Sequence, residues 1–257
     1  MVSSLLFTYQ KSQYLDFHAK QWRLAADVLN DLAMLIDMVS KSAMTLCFSS
    51  ICRSIVGVAG GATRMQITTH QAKNGSNLAD VNAKDGAQET FVNLVALLVN
   101  IYFIPILVKS RLIMWSVFYL LVILHIFFNY KAVTTVKSNL INIYRLEALL
   151  KSCNYNVAEI NHKEPIINSI FFDSKLKIGS YLSHGEKITH RTNEYLYTET
   201  GNLIFKQGLT QQRQIEIIIL SQVGFKEEKF CEIYSKIKSA GWRVDKHLIH
   251  TGDVKFN

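Results

Sequence analysis

The sequence predicts a mainly α-helical membrane region containing a helical hairpin, followed by a small α+β soluble domain. Three observations carry this. Two almost wholly apolar runs lie back to back, F91-V-N-L-V-A-L-L-V-N-I-Y-F-I-P-I-L-V108 and L112-I-M-W-S-V-F-Y-L-L-V-I-L-H-I-F-F128, with only Lys109, Ser110 and Arg111 between them. The chain has 2 prolines, Pro105 and Pro165, so nothing breaks long helices before the first apolar run ends. Beyond residue 150 the pattern changes to short apolar runs separated by Gly and Asn, the punctuation of strands and turns. We therefore divide the 257 residues into a helical membrane domain, 1–147, and an α+β soluble domain, 151–257.

Bulk composition agrees. Apolar residues make up 49% of the chain and the mean hydropathy is slightly positive, an average suited to one membrane half and one soluble half. The net charge is +8, but Lys and Arg are scattered with no run of five, so no nucleic-acid partner is predicted. Attraction to an anionic membrane face fits better. None of the 4 cysteines has zinc-type spacing; Cys47 and Cys52 lie in an apolar stretch and read as buried thiols.

At the start, M1-V-S-S-L-L-F7 lacks a basic flank and does not read as a signal peptide. Residues 20–40 read as an amphipathic helix, with Leu24, Val28, Leu32, Leu35 and Val39 on its apolar face and Arg23, Asp27, Asn30, Asp31 and Met34 opposite. Asp27 and Asp31 share a side and repel unless a cation such as Arg23 attends them. Residues 42–62 are apolar but small. Gly57 and Gly61 form a G-x-x-x-G pattern, as in closely packed membrane helices, and Arg53 there requires a carboxylate partner. A soluble core helix ending at Gly60-Gly61 is the alternative. Asn74-Gly75 then reads as a turn.

The polar stretch N77-L-A-D-V-N-A-K-D-G-A-Q-E-T90 abuts the first apolar run. Asp85 and Gln88 have the spacing of an N-cap and N3 pair, which predicts a helix from near Gly86 to about Val108 with Pro105 in its last turn. Such a helix is about 20 residues long, enough to cross a hydrocarbon core of about 30 Å. With the second run it forms the hairpin. Trp115, Tyr119 and Tyr130 lie where interface aromatics belong, and the lone His125 reads as satisfied by packing. Basic residues concentrate at the hairpin base, which predicts a cytosolic C-terminal domain; the organelle stays open. In that domain, 166–172, 195–197 and 203–205 read as strands and 211–223 and 226–239 as helices. The second of these helices presents Phe230, Ile233, Tyr234 and Ile237 on one face and is capped by Gly241; a final extended segment covers 248–256.

No catalytic signature survives inspection. G57-V-A-G-G-A-T-R64 lacks Walker spacing, and the G-x-G-x-x-G, H-E-x-x-H, C-x-x-C and G-x-S-x-G patterns are absent. The histidines, including His162, His184 and His190, are too dispersed for a metal site, so neither metal nor cofactor is predicted. What remains is a constellation flanking apolar segments: Asp27, Asn30, Asp31, Arg64, His70, Asn77, Asp80, Lys84, Asp85, Gln88 and Glu89. Converged, these residues would line a polar cavity between helices. As surface features they are a cap, a turn and i,i+4 pairs such as Asp80 with Lys84.

Several of these blocks, in order, resemble the root UVB-sensitive (RUS) family: K20-Q-W-R-L-A-A-D-V-L-N-D-L-A-M34, I55-V-G-V-A-G-G-A-T-R64, His70, the polar stretch 77–90, S239-A-G-W-R243 and L248-I-H-T-G-D253. The resemblance implies a membrane-associated protein without an established enzymatic activity. Plant members are linked to UV-B responses, vitamin B6 balance and auxin transport; this sequence looks closer to the animal type. Family members carry a further segment ahead of the Trp22 block, so this chain reads as N-terminally short. The expected function is non-enzymatic: handling or sensing a small organic solute in a lipid membrane, with a protein partner of the same family conceivable. A membrane scaffold whose polar block is only structural is the alternative, and an enzyme acting on a vitamin B6 form is the third reading.

Overall fold

The computed structural model describes residues 2–72, 77–152, 154–167, 177–179, 187–251 and 255–256. The expected turn at Asn74-Gly75, Cys153, His184 and most of the strand expected at 166–172 lie outside these residues. The chain divides into two compact units, Met1–Leu15 with Trp22–Val133, and Asp16–Gln21 with Thr134–Asn257.

The first unit is helical: α1 (Val2–Phe17), α2 (Ala19–Val39), α3 (Ala43–Gln71), α4 (Leu78–Leu107) and α5 (Arg111–Thr135). Ser42 caps α3 by accepting the Met44 N–H at 3.3 Å. A small core joins Leu15, Ala26 and Ala59, flanked by Phe7 and Trp22 in an edge contact at 5.5 Å. Helices α3, α4 and α5 are each long and apolar enough to cross a membrane. Helix α4 buries none of its residues and α5 buries only Val133, so Phe91 through Ile106 and most of Leu112 through Phe128 present apolar side chains outward.

Several expectations need correction here. Helix α4 starts at Leu78, with Asn77 at its N-cap, so Asp85 and Gln88 sit inside the helix and do not cap it. Residues 78–85 contain no breaker, and the Asp80–Lys84 pair supports the added turns. Helix α3 runs through Gly60-Gly61 to Gln71, because an α-helix tolerates isolated glycines at modest cost. Gly57 and Gly61 are exposed, and a Cβ added at either meets nothing within 4 Å, so among the described residues the G-x-x-x-G pattern brings no backbone close. Cys52 is buried as expected, but Cys47 is exposed on the outer side of α3.

The last correction concerns the orientation of α2. Of the expected apolar face, Leu24 is buried, but Val28 and Leu32 are 43% and 45% exposed, whereas Asp31, assigned to the wet face, is 4% exposed and sits inward with Ala26 and Ala33. Small side chains there allow close packing inward, and several large aliphatic ones point away from the protein.

The second unit is α+β. Strand β1 (Leu140–Asn142) pairs in parallel with β6 (Arg243–Leu248). In the second sheet, β5 (Asn202–Lys206) is central. β4 (Tyr195–Thr198) runs antiparallel along one edge with β3 (Ile188–Arg191) outside it, while β2 (Lys177–Ile178) and β7 (Lys255–Phe256) share the other edge in parallel. The helices are α6 (Ile143–Lys151), α7 (Val157–His162), α8 (Gln211–Gln222) and α9 (Glu227–Ser239). Ile141, Leu146, Phe205, Ile215, Ile218, Ile219, Ile237 and Trp242 form the core. The expected strands at 195–197 and 203–205 and both expected helices are present. Phe230, Ile233 and Tyr234 pack on the core as their spacing requires. Gly241, at φ +91, ends α9 with Trp242 N–H to Ile237 O and Gly241 N–H to Lys238 O, a Schellman closure. The last long strand, however, is Arg243–Leu248, which lies before the segment expected at 248–256.

Candidate functional site

The polar residues of the helical unit form two separate ion-paired groups. The first joins α3 to α4. Asp85 and Glu89 are one turn apart on α4, hence on one face. The Arg64 guanidinium from α3 spans both, with Nε to Asp85 Oδ2 at 2.7 Å and Nη1 to Glu89 Oε2 at 2.5 Å. The guanidinium thereby reaches two carboxylates of α4 at once, so the arrangement works as a clamp between helices. A turn earlier on α4, Lys84 and Asp80 pair at 2.8 Å with both side chains mostly in the open. Asn77 at the N-cap makes no side-chain capping bond; His70 is half-buried in the last turn of α3, Asn30 half-buried on α2, and Gln88 exposed.

The second group joins α2 to α5. Asp31 Oδ2 lies 2.9 Å from His125 Nδ1. His125 is the lone charge-bearing side chain between Arg111 and Lys131, so α5 spends its polarity on this contact. Asp27, one turn before Asp31, is 3.7 Å from Arg23 Nε, and Arg23 Nη1 also donates to the Gly60 carbonyl of α3 at 3.3 Å. Among the described residues, Asp31 Oδ1 and Asp27 Oδ2 are buried without a hydrogen-bond partner. The His125 partnership was not foreseen. Its signal was present: a titratable side chain in the middle of an apolar run, and a carboxylate pair in need of a cation. The need of Arg53 for a carboxylate was foreseen, and Asp37 of α2 meets it.

A third polar network, within the second unit, was not anticipated. Glu164 is fully buried. Its Oε2 accepts from Arg145 Nη2 at 2.8 Å and from Lys20 Nζ at 3.1 Å; its Oε1 accepts from Asn142 Nδ2 at 2.6 Å. Asn161 Oδ1 accepts a further Lys20 bond at 3.1 Å, and Arg145 Nη1 donates to the Leu140 carbonyl. Burial alone would raise the Glu164 carboxyl, but the charges of Arg145 and Lys20, with the Asn142 bond, hold it below the usual carboxylate range. Burial and the neighbouring Arg145 lower the Lys20 ammonium despite Glu164. Every donor here has a protein acceptor and the side chains are closed to solvent, so the network reads as architecture, tying Lys20 to β1, α6 and α7.

No group of three or more His, Cys, Asp or Glu among the described residues is placed to hold a metal ion. The helical unit therefore offers two kinds of polar group: a two-carboxylate clamp at Arg64, and a group around Asp31 with oxygens still to be satisfied.

Comparison with known proteins agrees with the order of the sequence blocks. The profile of a family described as a vitamin B6 photo-protection and homoeostasis domain matches residues 1–170. The chain is 34% identical over 220 residues to RUS family member 1 of Dictyostelium discoideum, covering 79% of this chain and 42% of that protein. It is 37% identical over 155 residues to Protein root UVB sensitive 3 of Arabidopsis thaliana, covering 58% of this chain and 35% of that protein. The chain thus spans less than half the length of these relatives. No solved structure matches it. The profile covers the helical unit, its two ion-paired groups and the Glu164 network together, and on that ground the chain belongs to the RUS family.

Proposed function

We propose that this RUS-family chain is an integral membrane protein of non-enzymatic function that handles a small solute at the polar group formed by Asp27, Asp31 and His125. The observation that carries the reading is the enclosure of Asp31 on α2. It is paired to a histidine on the otherwise apolar α5, while Val28, Leu32 and Val39 of the same helix as Asp31 point outward. In water such an arrangement exposes apolar surface without return; in lipid it is the ordinary one, and an ionisable side chain enclosed there marks a functional site. Helices α3, α4 and α5 are the spans. Lys131 in the last turns of α5 and Lys137 just beyond it support a cytosolic side for the C-terminal unit.

Arg64, Asp85 and Glu89 take a positioning role in this reading, since the guanidinium is already occupied, and Asp80 and Lys84 are a surface pair. The same observation supports the competing reading of a membrane scaffold, in which all the polar groups only hold helices together. A small organic solute, with the vitamin B6 forms first in line because of the family's description, is the class to test. The full chain in lipid nanodiscs, warmed in the presence of a panel of B6 forms and small organic ions, should be stabilised by at least one of them, and Asp31→Asn should remove that stabilisation. A panel that stabilises nothing, with the protein folded, favours the scaffold.

A further inference from the structure

We infer that the Asp27–Asp31–His125 group is a binding site for the primary ammonium of a small organic solute. This rests on the reading of the group as a solute site and names the chemical class the site takes. Asp31 is more than nine-tenths buried, yet its Oδ1 lacks a hydrogen-bond donor among the described residues; Asp27 Oδ2, one turn away on the same helix, has only Arg23 Nε at 3.7 Å, beyond hydrogen-bond distance. Leaving buried carboxylate oxygens without donors is costly, so the site calls for donors from outside the protein.

Charge selects among donor classes. The groups facing the site are Asp27, Asp31 and Arg23 from α2 and His125 from α5; α3 contributes only the Gly60 carbonyl, through Arg23. With the imidazole neutral, two carboxylates against one guanidinium leave one net negative charge. An anion is repelled, and a neutral alcohol brings one donor for two oxygens. A primary ammonium brings one positive charge and three N–H donors. Two of these serve Asp31 Oδ1 and Asp27 Oδ2. The His125 side chain is 43% exposed, which leaves that flank of the group open to a ligand. The carboxylates lie beneath it, where low dielectric strengthens a charged hydrogen bond.

The test uses two probes of one shape, benzylamine and benzyl alcohol, with benzoate as the anion, titrated onto the full chain in nanodiscs. Benzylamine should bind saturably and benzyl alcohol should not. Asp31→Asn and Asp27→Asn should each weaken benzylamine by about tenfold or more, the loss of one charge-assisted hydrogen bond. Asp80→Asn, on the surface pair of α4, should leave binding unchanged. If Asp31→Asn does not fold, Asp27→Asn decides. Benzyl alcohol binding as tightly as benzylamine, or benzylamine binding that survives in the folded carboxylate variants, overturns the ammonium site. Saturable benzoate binding lost on Asp31→Asn overturns the ammonium class but leaves the solute-site reading standing. Failure of all three probes, together with failure of the wider panel of B6 forms and ions, removes both.

Discussion

His247 shows how a single buried side chain sets a pH dependence. It lies on β6, 6% exposed, with Nδ1 accepting the Ile249 N–H at 3.2 Å and Nε2 facing Gln214 Oε1 at 3.1 Å. Both nitrogens are satisfied only in the neutral form, and burial lowers its pKa to about 4. The unfolded chain takes up a proton near 6.5, where the native one does not. The stabilisation is therefore complete above pH 6.5 and is lost progressively as pH falls toward 4, by about 3 kcal/mol in all. Hydrogen-exchange protection of β6, corrected for intrinsic exchange, should fall over that interval in the wild type and much less in His247→Asn. Glu164 behaves differently, because its role is to cancel charge. Glu164→Gln leaves Arg145 and Lys20 enclosed without an anion and should cost about 3–5 kcal/mol, read as lost protection across β1, α6 and α7. Neither residue was legible in the sequence. Glu164 is far in sequence from Lys20, and nothing in the R-V-D-K-H-L run of β6 marks His247 as an inward position. His125 was legible as an anomaly but not as a partner, since its carboxylate, Asp31, stands on the side of α2 that was expected to be wet.

At the scale of elements, long helices were readable because the low proline count and the apolar runs state them directly. Their ends were less so. The start of α4 was displaced by residues 78–85, which form helix without a side-chain cap, and α3 crosses a glycine pair that resembles a stop. In the second unit, β4, β5, α8 and α9 carried clear periodicity, whereas β6 buries Val244 and His247, a spacing of three that follows no strand alternation. The Arg64 clamp makes a prediction at this scale. Its side chains are partly open to solvent, so Arg64→Gln should cost no more than about 1 kcal/mol. Its effect should appear as faster exchange and a wider spread of spin-label distances between α3 and α4. Asp80→Asn should change stability by less than about 0.5 kcal/mol, as a surface substitution does. If Arg64→Gln left the α3–α4 distance distribution unchanged while abolishing solute binding, Arg64 would belong to the site and not to the clamp.

For the molecule as a whole, the helical part and the α+β part were readable from the sequence, because long apolar runs fill the first and short runs separated by Gly and Asn fill the second. What composition could not state is which polar residues meet. The eleven residues flagged by their position beside apolar segments do not form one cavity group in the structure. Most of them sort into the Arg64 clamp, a surface pair, an enclosed Asp31 with a histidine partner, and Asp27 beside Arg23. The account therefore locates the chemistry on α2 and α5 and assigns the conspicuous polar block of α4 to architecture. The most direct measurement is solute flux into liposomes reconstituted with the wild-type chain or with Asp31→Asn, using whichever solute stabilises the wild type. The account predicts saturable uptake by the wild type that Asp31→Asn abolishes and Asp80→Asn does not. Absence of uptake by folded, inserted wild-type protein, or equal uptake by Asp31→Asn, would contradict it.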